Sequence, residues 1–164
     1  AFGCPYEGKV SPEKVEFIVG EYRALGIHEI ALGDTTGMAN PVQVSRMIQR
    51  IKPLFGKTGL ALHFHDTRGA ALVNIFSALQ EGVTVFDGSI GGLGGCPYAP
   101  GASGNVATED LVNMLEEIGI ETGIDLQKLV DCARYARQII QRDLPSHLLK
   151  AGRICWEGLP TPKP

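Results

Sequence analysis

An α/β fold of parallel strands with helices outside them, amounting to half of a (β/α)8 barrel, follows from three features of the 164-residue sequence. Short β-branched or leucine-rich apolar runs alternate with longer segments whose apolar residues recur near the helical period, the pattern of successive βα units. Polar residues collect at the C-terminal ends of the strands, where α/β barrels and open doubly wound sheets both build their sites. Only three or four units fit the length, and a closed barrel needs eight.

The elements come in order. Ala1-Phe2-Gly3-Cys4 reads as the tail of a strand entering a loop. Ser11-Pro12-Glu13 places a cap before a proline at the first helical position and opens a helix to about Leu25, which Gly26 ends. Ile27 to Gly33 is then a strand that delivers Asp34 at its end. Asn40-Pro41-Val42-Gln43 repeats the start signal, with a capping-box glutamine, for a helix to about Leu54. The next strand runs from Leu60 to His65. A third unit has a helix from about Ala70 to Glu81, Gly82 as its stop, and a strand from Val83 to Ser89. After a glycine-rich loop, Asn105-Val106-Ala107 reads as one more short strand, and Thr108-Glu109-Asp110 caps a helix to about Ile118. A final helix covers about Asp125 to Arg142. The organisation is a partial-barrel domain over 1–150 and a loose, proline-rich tail over 151–164.

Composition narrows the function. A 44% hydrophobic content supports a real core, and a net charge of −3 without any basic run gives no case for nucleic acid or an anionic membrane. No apolar stretch approaches the roughly 20 residues of a membrane-spanning helix. Cys4, Cys96, Cys132 and Cys155 are scattered and form no CxxC pair, which suits a reducing compartment. A half barrel leaves raw strand edges, so the missing half is expected upstream, or a second copy of the chain as partner.

The chemistry concentrates in two segments. In Gly59-Leu-Ala-Leu-His63-Phe-His65-Asp66-Thr67, side chains alternate faces, so His63 and His65 share one while Leu62 and Phe64 take the other. Two imidazoles at the site end of a strand suit a divalent cation; the plain alternative is a pair of hydrogen-bonded core histidines. Asp66 either orients a ligand or caps the following helix. Asn105 offers an amide oxygen, which alongside water and carboxylate suits harder ions such as Mg²⁺ or Mn²⁺ rather than a thiolate-rich zinc site. The loop from Gly91 to Gly104 is rich in glycine, has two prolines and carries no charge, the composition of a mobile lid. Cys96 on it is either a reacting thiol or a loop thiol without a role. Asp34 is either a general base or the head of an Asx turn.

Phe2-Gly-Cys-Pro-Tyr-Glu-Gly8, Leu32-Gly-Asp-Thr35, His63-Phe-His-Asp-Thr67, Gly92-Leu-Gly-Gly-Cys-Pro-Tyr98 and Gly101-Ala-Ser-Gly-Asn-Val-Ala-Thr-Glu-Asp110 together closely resemble the C-terminal half of the 3-hydroxy-3-methylglutaryl-CoA lyases. These are metal-dependent TIM-barrel enzymes of leucine degradation and ketone-body formation. The resemblance runs from Ala1 to about Gly152. It implies His63, His65 and Asn105 as ligands of Mg²⁺ or Mn²⁺, Cys96 as the catalytic thiol, and Asp34 and His63 as catalytic proton-transfer candidates. It also implies an acyl-CoA substrate, a homodimer of the full-length protein, and bacterial cytoplasm or mitochondrial matrix as its location. The family's remaining metal ligand, an aspartate in an Arg-Asp pair at the end of the first barrel strand, would lie upstream. The related 2-isopropylmalate and homocitrate synthases share the HxH pair but typically have a Gly-Glu-Arg-type stretch before the asparagine, where this chain has Gly-Cys-Pro-Tyr.

Overall fold

A computed structural model describes residues 1–56, 59–97, 101 and 104–154. The chain starts with a short antiparallel hairpin, β1 (Gly3–Cys4) and β2 (Gly8–Lys9). Then come α1 (Pro12–Ala24), β3 (Glu29–Asp34), α2 (Pro41–Phe55), β4 (Gly59–Phe64), α3 (Ala71–Gln80) and β5 (Val85–Asp87). The helices α4 (Thr108–Glu117), α5 (Leu126–Ile140) and α6 (His147–Ala151) complete it. β3, β4 and β5 form a parallel sheet in that order, as the alternation of strand and helix predicts. Their register aligns Gly33 with His63 and His63 with Asp87, so three strand ends meet at one rim.

The helix boundaries follow local chemistry. Pro41 occupies the first turn of α2, where its missing N–H costs nothing, and the Asn40 side chain accepts from Gln43 N at 3.0 Å. Val44, Met47, Ile48, Ile51 and Phe55 recur at three- and four-residue steps and are buried. α1, α3 and α4 each end on a glycine at positive φ, Gly26, Gly82 and Gly119. In each, the glycine amide and the next one fold back on the last turn, as with Gly26 N to Arg23 O and Ile27 N to Tyr22 O. These caps also shorten the strands. Ile27 and Val83, both expected to begin strands, have their amides drawn into helix caps, so β3 begins at Glu29 and β5 at Val85.

One apolar cluster joins Leu32, Leu62 and Phe64 of the sheet to Val15 and Val19 of α1, Ile48 and Ile51 of α2, and Ile75 of α3. Phe2 adds its ring to Phe64 at 5.7 Å between centroids. Smaller clusters seat Val112 of α4 with Leu126, Val130 and Leu148, and Leu144 and Leu149 with Ile90 and Leu93. The expected strand at Asn105 is reduced to two isolated bridges, His65 with Asn105 and Ser89 with Ala107. The short helix α6 has no counterpart in the sequence pattern. Its first turn is capped from afar: Asp110 accepts from Ser146 Oγ, His147 N and Leu148 N. Among the described residues, no helix is long and apolar enough to cross a membrane. The part of the expected tail from Cys155 onward lies outside the described residues.

Candidate active site

The site collects at the C-terminal rim of the sheet. His63 ends the inward-facing run of β4 and His65 follows it past the strand, their ring centroids 5.2 Å apart, so the two imidazoles share a face as strand alternation requires. Leu62 and Phe64, between and beside them, are fully buried on the helix side. Asn105 is brought alongside by the bridge to His65, which Asp66 N to Gly104 O and Val106 N to Phe64 O frame.

The polar atoms of this group are incompletely satisfied. His65 is buried, and its Nδ1 has no hydrogen-bond partner. Asn105 donates from Nδ2 to the Leu93 carbonyl at 2.7 Å, which leaves its Oδ1 buried and unpaired. Two orphaned polar atoms on bridged residues are costly in an apolar interior, and a cation would satisfy the Asn105 oxygen and an unprotonated His65 Nδ1. Burial is the main cause that holds the His65 pKa below its ordinary value; the neighbouring His63 adds to it and Asp34 opposes it. A neutral imidazole is the form that ligates a metal.

His63 makes a contact that strand spacing does not reveal. Its Nδ1 lies 2.6 Å from Asp87 Oδ2 across the β4–β5 register. A carboxylate on Nδ1 sets the ring's orientation and directs Nε2 toward a ligand. The sequence signal for Asp87 is its place at a strand end, but its partner is set by sheet register alone.

Asp34 is 1% exposed, with Oδ1 accepting from Met38 N at 2.9 Å and Oδ2 from Ala39 N at 3.0 Å. It therefore heads the turn after β3, the simpler of the two expectations for it, and its charge still acts on His65. Asp66 likewise resolves to capping, since its Oδ1 accepts from Ala71 N at the start of α3. Cys96 is a half-buried free thiol. Of the expected lid around it, Tyr98, Ala99, Pro100, Ala102 and Ser103 lie outside the described residues. Cys132 is an exposed free thiol on α5.

Among the described residues, no group of three His, Cys, Asp or Glu side chains is placed to hold a metal. The donor set here is two imidazoles and one carboxamide, fewer than the six ligands of a Mg²⁺ octahedron. A cavity of about 950 Å³ opens between the β1–β2 hairpin and the N-terminal parts of α1 and α2, and none of these site residues lines it.

Residues 1–135 match the family model HMGL-like. The hydroxymethylglutaryl-CoA lyase YngG of Bacillus subtilis is 52% identical over 149 residues, which cover 91% of this chain and 50% of that protein. The mitochondrial hydroxymethylglutaryl-CoA lyase of Homo sapiens is 49% identical over 151 residues, covering 92% of this chain and 46% of its own. An HMG-CoA lyase of Acinetobacter baumannii, solved with coenzyme A and 3-methylmalate, superposes with a TM-score of 0.90 at 53% identity, covering 99% of this chain and 52% of that one. The chain thus spans about half the length of the curated relatives it matches.

Proposed function

Since the chain belongs to the HMGL-like family, we propose that it is the C-terminal half of a hydroxymethylglutaryl-CoA lyase barrel, cleaving 3-hydroxy-3-methylglutaryl-CoA to acetyl-CoA and acetoacetate. The observation that carries the reading is the pair of buried, unpartnered polar atoms, His65 Nδ1 and Asn105 Oδ1, beside an Asp87-held His63. The outer edge of β3, which accepts from Ala1 N through the Gly33 carbonyl and is flanked by the exposed Ile18 and Tyr22 of α1, supports the half-barrel reading, since it offers a sheet edge and apolar surface to a further βα unit. In this reading the lyase domain covers 1–150, and the completed barrel works as a homodimer.

His63, His65 and Asn105 fit a divalent cation, Mg²⁺ or Mn²⁺, with further ligands from water, substrate and an upstream aspartate. Bound there, such an ion would polarise the substrate's hydroxyl and carboxylate oxygens and ease loss of the hydroxyl proton. The chain's residues divide the remaining work. His63 has Nδ1 on Asp87, so its single free nitrogen serves a cation or a proton but not both. Proton acceptance then falls to Asp34, whose oxygens each take one amide and keep a second lone pair. Because Asp34 is buried, it acts only on a hydroxyl delivered into the mouth of the strands. As the hydroxyl oxygen becomes a carbonyl, the bond between the carbinol carbon and the thioester α-carbon breaks and its electrons form the acetyl-CoA enolate. Cys96 supplies the proton for that carbon, and the Asp34 proton returns through solvent to the thiolate.

The test is acetoacetate release with Mg²⁺ or Mn²⁺ and a thiol reductant, comparing this chain with the same chain extended upstream through the missing half. Activity confined to the extended protein supports the lyase and the half-barrel reading together. A bound metal with no turnover in either protein overturns the lyase in favour of a synthase or a metal-binding module.

A further inference from the structure

The root of the cysteine loop and the candidate cation site share one side chain. Asn105 faces both ways: Nδ2 donates to the Leu93 carbonyl at 2.7 Å, while Oδ1 is the buried acceptor left unpaired. The fit around this contact is close. A Cβ on Gly94 would stand 2.5 Å from Asn105 Nδ2, and one on Gly104 would stand 2.3 Å from the Gly92 carbonyl and 2.8 Å from that of Gly94. Both glycines lie at positive φ, 105° and 123°. Leu93 itself packs with Ile90 against Leu144 and Leu149, and Gly91 N donates to the buried carboxylate of Glu109 at 3.0 Å. The residues just before Cys96 are therefore held on one side by α4 and the α6 region and on the other by Asn105.

We propose that Asn105 is a coupling residue: the same planar amide that presents Oδ1 to a cation fixes Leu93 through Nδ2, so that occupancy of the cation site positions Cys96. The inference rests on the metal reading of His63, His65 and Asn105. An amide is rigid and polarised as a unit, so charge placed at its oxygen strengthens donation from its nitrogen. Reciprocity requires that whatever loosens Leu93 also weakens the cation's hold.

The readout is alkylation of Cys96 by iodoacetamide, followed by mass spectrometry of its peptide, with and without saturating Mn²⁺, in the chain extended to the relatives' length. Mn²⁺ binding is followed separately by the electron paramagnetic resonance of free Mn²⁺. In the unmodified protein Mn²⁺ slows alkylation about tenfold, a typical coupling between sites. Asn105→Asp keeps an oxygen ligand but cannot donate to Leu93, so it binds Mn²⁺ and loses the protection. Gly94→Ala crowds the same contact from the loop side, its Cβ pressing on Asn105 Nδ2 and leaving the Oδ1 ligand atom in place, and gives the same result at saturation. Retained binding also shows that both variants have folded. Protection that survives in both variants overturns the coupling and leaves the metal reading standing. Failure of the unmodified protein to bind Mn²⁺ overturns the metal reading, and the coupling with it.

Discussion

His63 Nδ1 and Asp87 Oδ2 lie 2.6 Å apart on register partners of adjacent parallel strands. The contact ties the orientation of a candidate ligand to the pairing of β4 with β5. Asp87 is 61% exposed and the His63 side chain 27%, so the pair contributes little stability and its value is directional.

Asp87→Asn therefore leaves the unfolding midpoint nearly unchanged and weakens Mn²⁺ binding by roughly 10- to 100-fold, the usual effect of removing a carboxylate behind a ligating histidine. Isothermal titration of Mn²⁺ into the extended protein checks this. An unchanged affinity would show that the carboxylate does not orient the ring.

Cys96→Ala in the extended protein lowers kcat by roughly 10² to 10⁴, the range for a lost general acid. Cys132→Ala, at an exposed position on α5, leaves kcat as it was. Steady-state acetoacetate formation separates the two, and equal small effects would remove Cys96 from the mechanism.

Asp34 heads the turn after β3 and is the proposed base, and one pair of variants can part the two. Asp34→Ala strands the Met38 and Ala39 amides and costs about 1 to 3 kcal/mol in urea unfolding, the penalty for buried donors left without partners. Asp34→Asn keeps one acceptor and the side-chain volume but not the basicity. If Asp34 takes the hydroxyl proton, kcat falls by roughly 10² or more in the asparagine variant while most of the stability remains. A kcat that merely tracks stability assigns it to the turn alone.

Asp110→Ala removes the acceptor for Ser146 Oγ and for the His147 and Leu148 amides. The first turn of α6 then frays, with a loss of about 1 to 2 kcal/mol expected for a helix cap. Amide exchange at His147 and Leu148 rises while exchange in α2 is unchanged; protection that persists in α6 would place its stability in the Leu148 and Leu149 packing instead.

What the sequence by itself determined is local: the helix starts at Pro12 and Pro41, the glycine stops at Gly26 and Gly82, and the shared face of His63 and His65. Each depends on residues within a few positions of one another, so propensity, capping and the strand period suffice to read it. Tertiary structure decided the pairings between distant residues. Asp87 reaches His63 through strand register, Asp110 caps α6 from 36 to 38 residues away, and Asn105 joins Leu93 across the glycine loop. It also supplied bonds that local pattern left open, since Asp34 and Asp66 both accept from backbone amides once the fold brings those amides to them. The reason is physical: a side chain's type sets which bonds it can make, but packing alone sets which buried groups remain for it to satisfy.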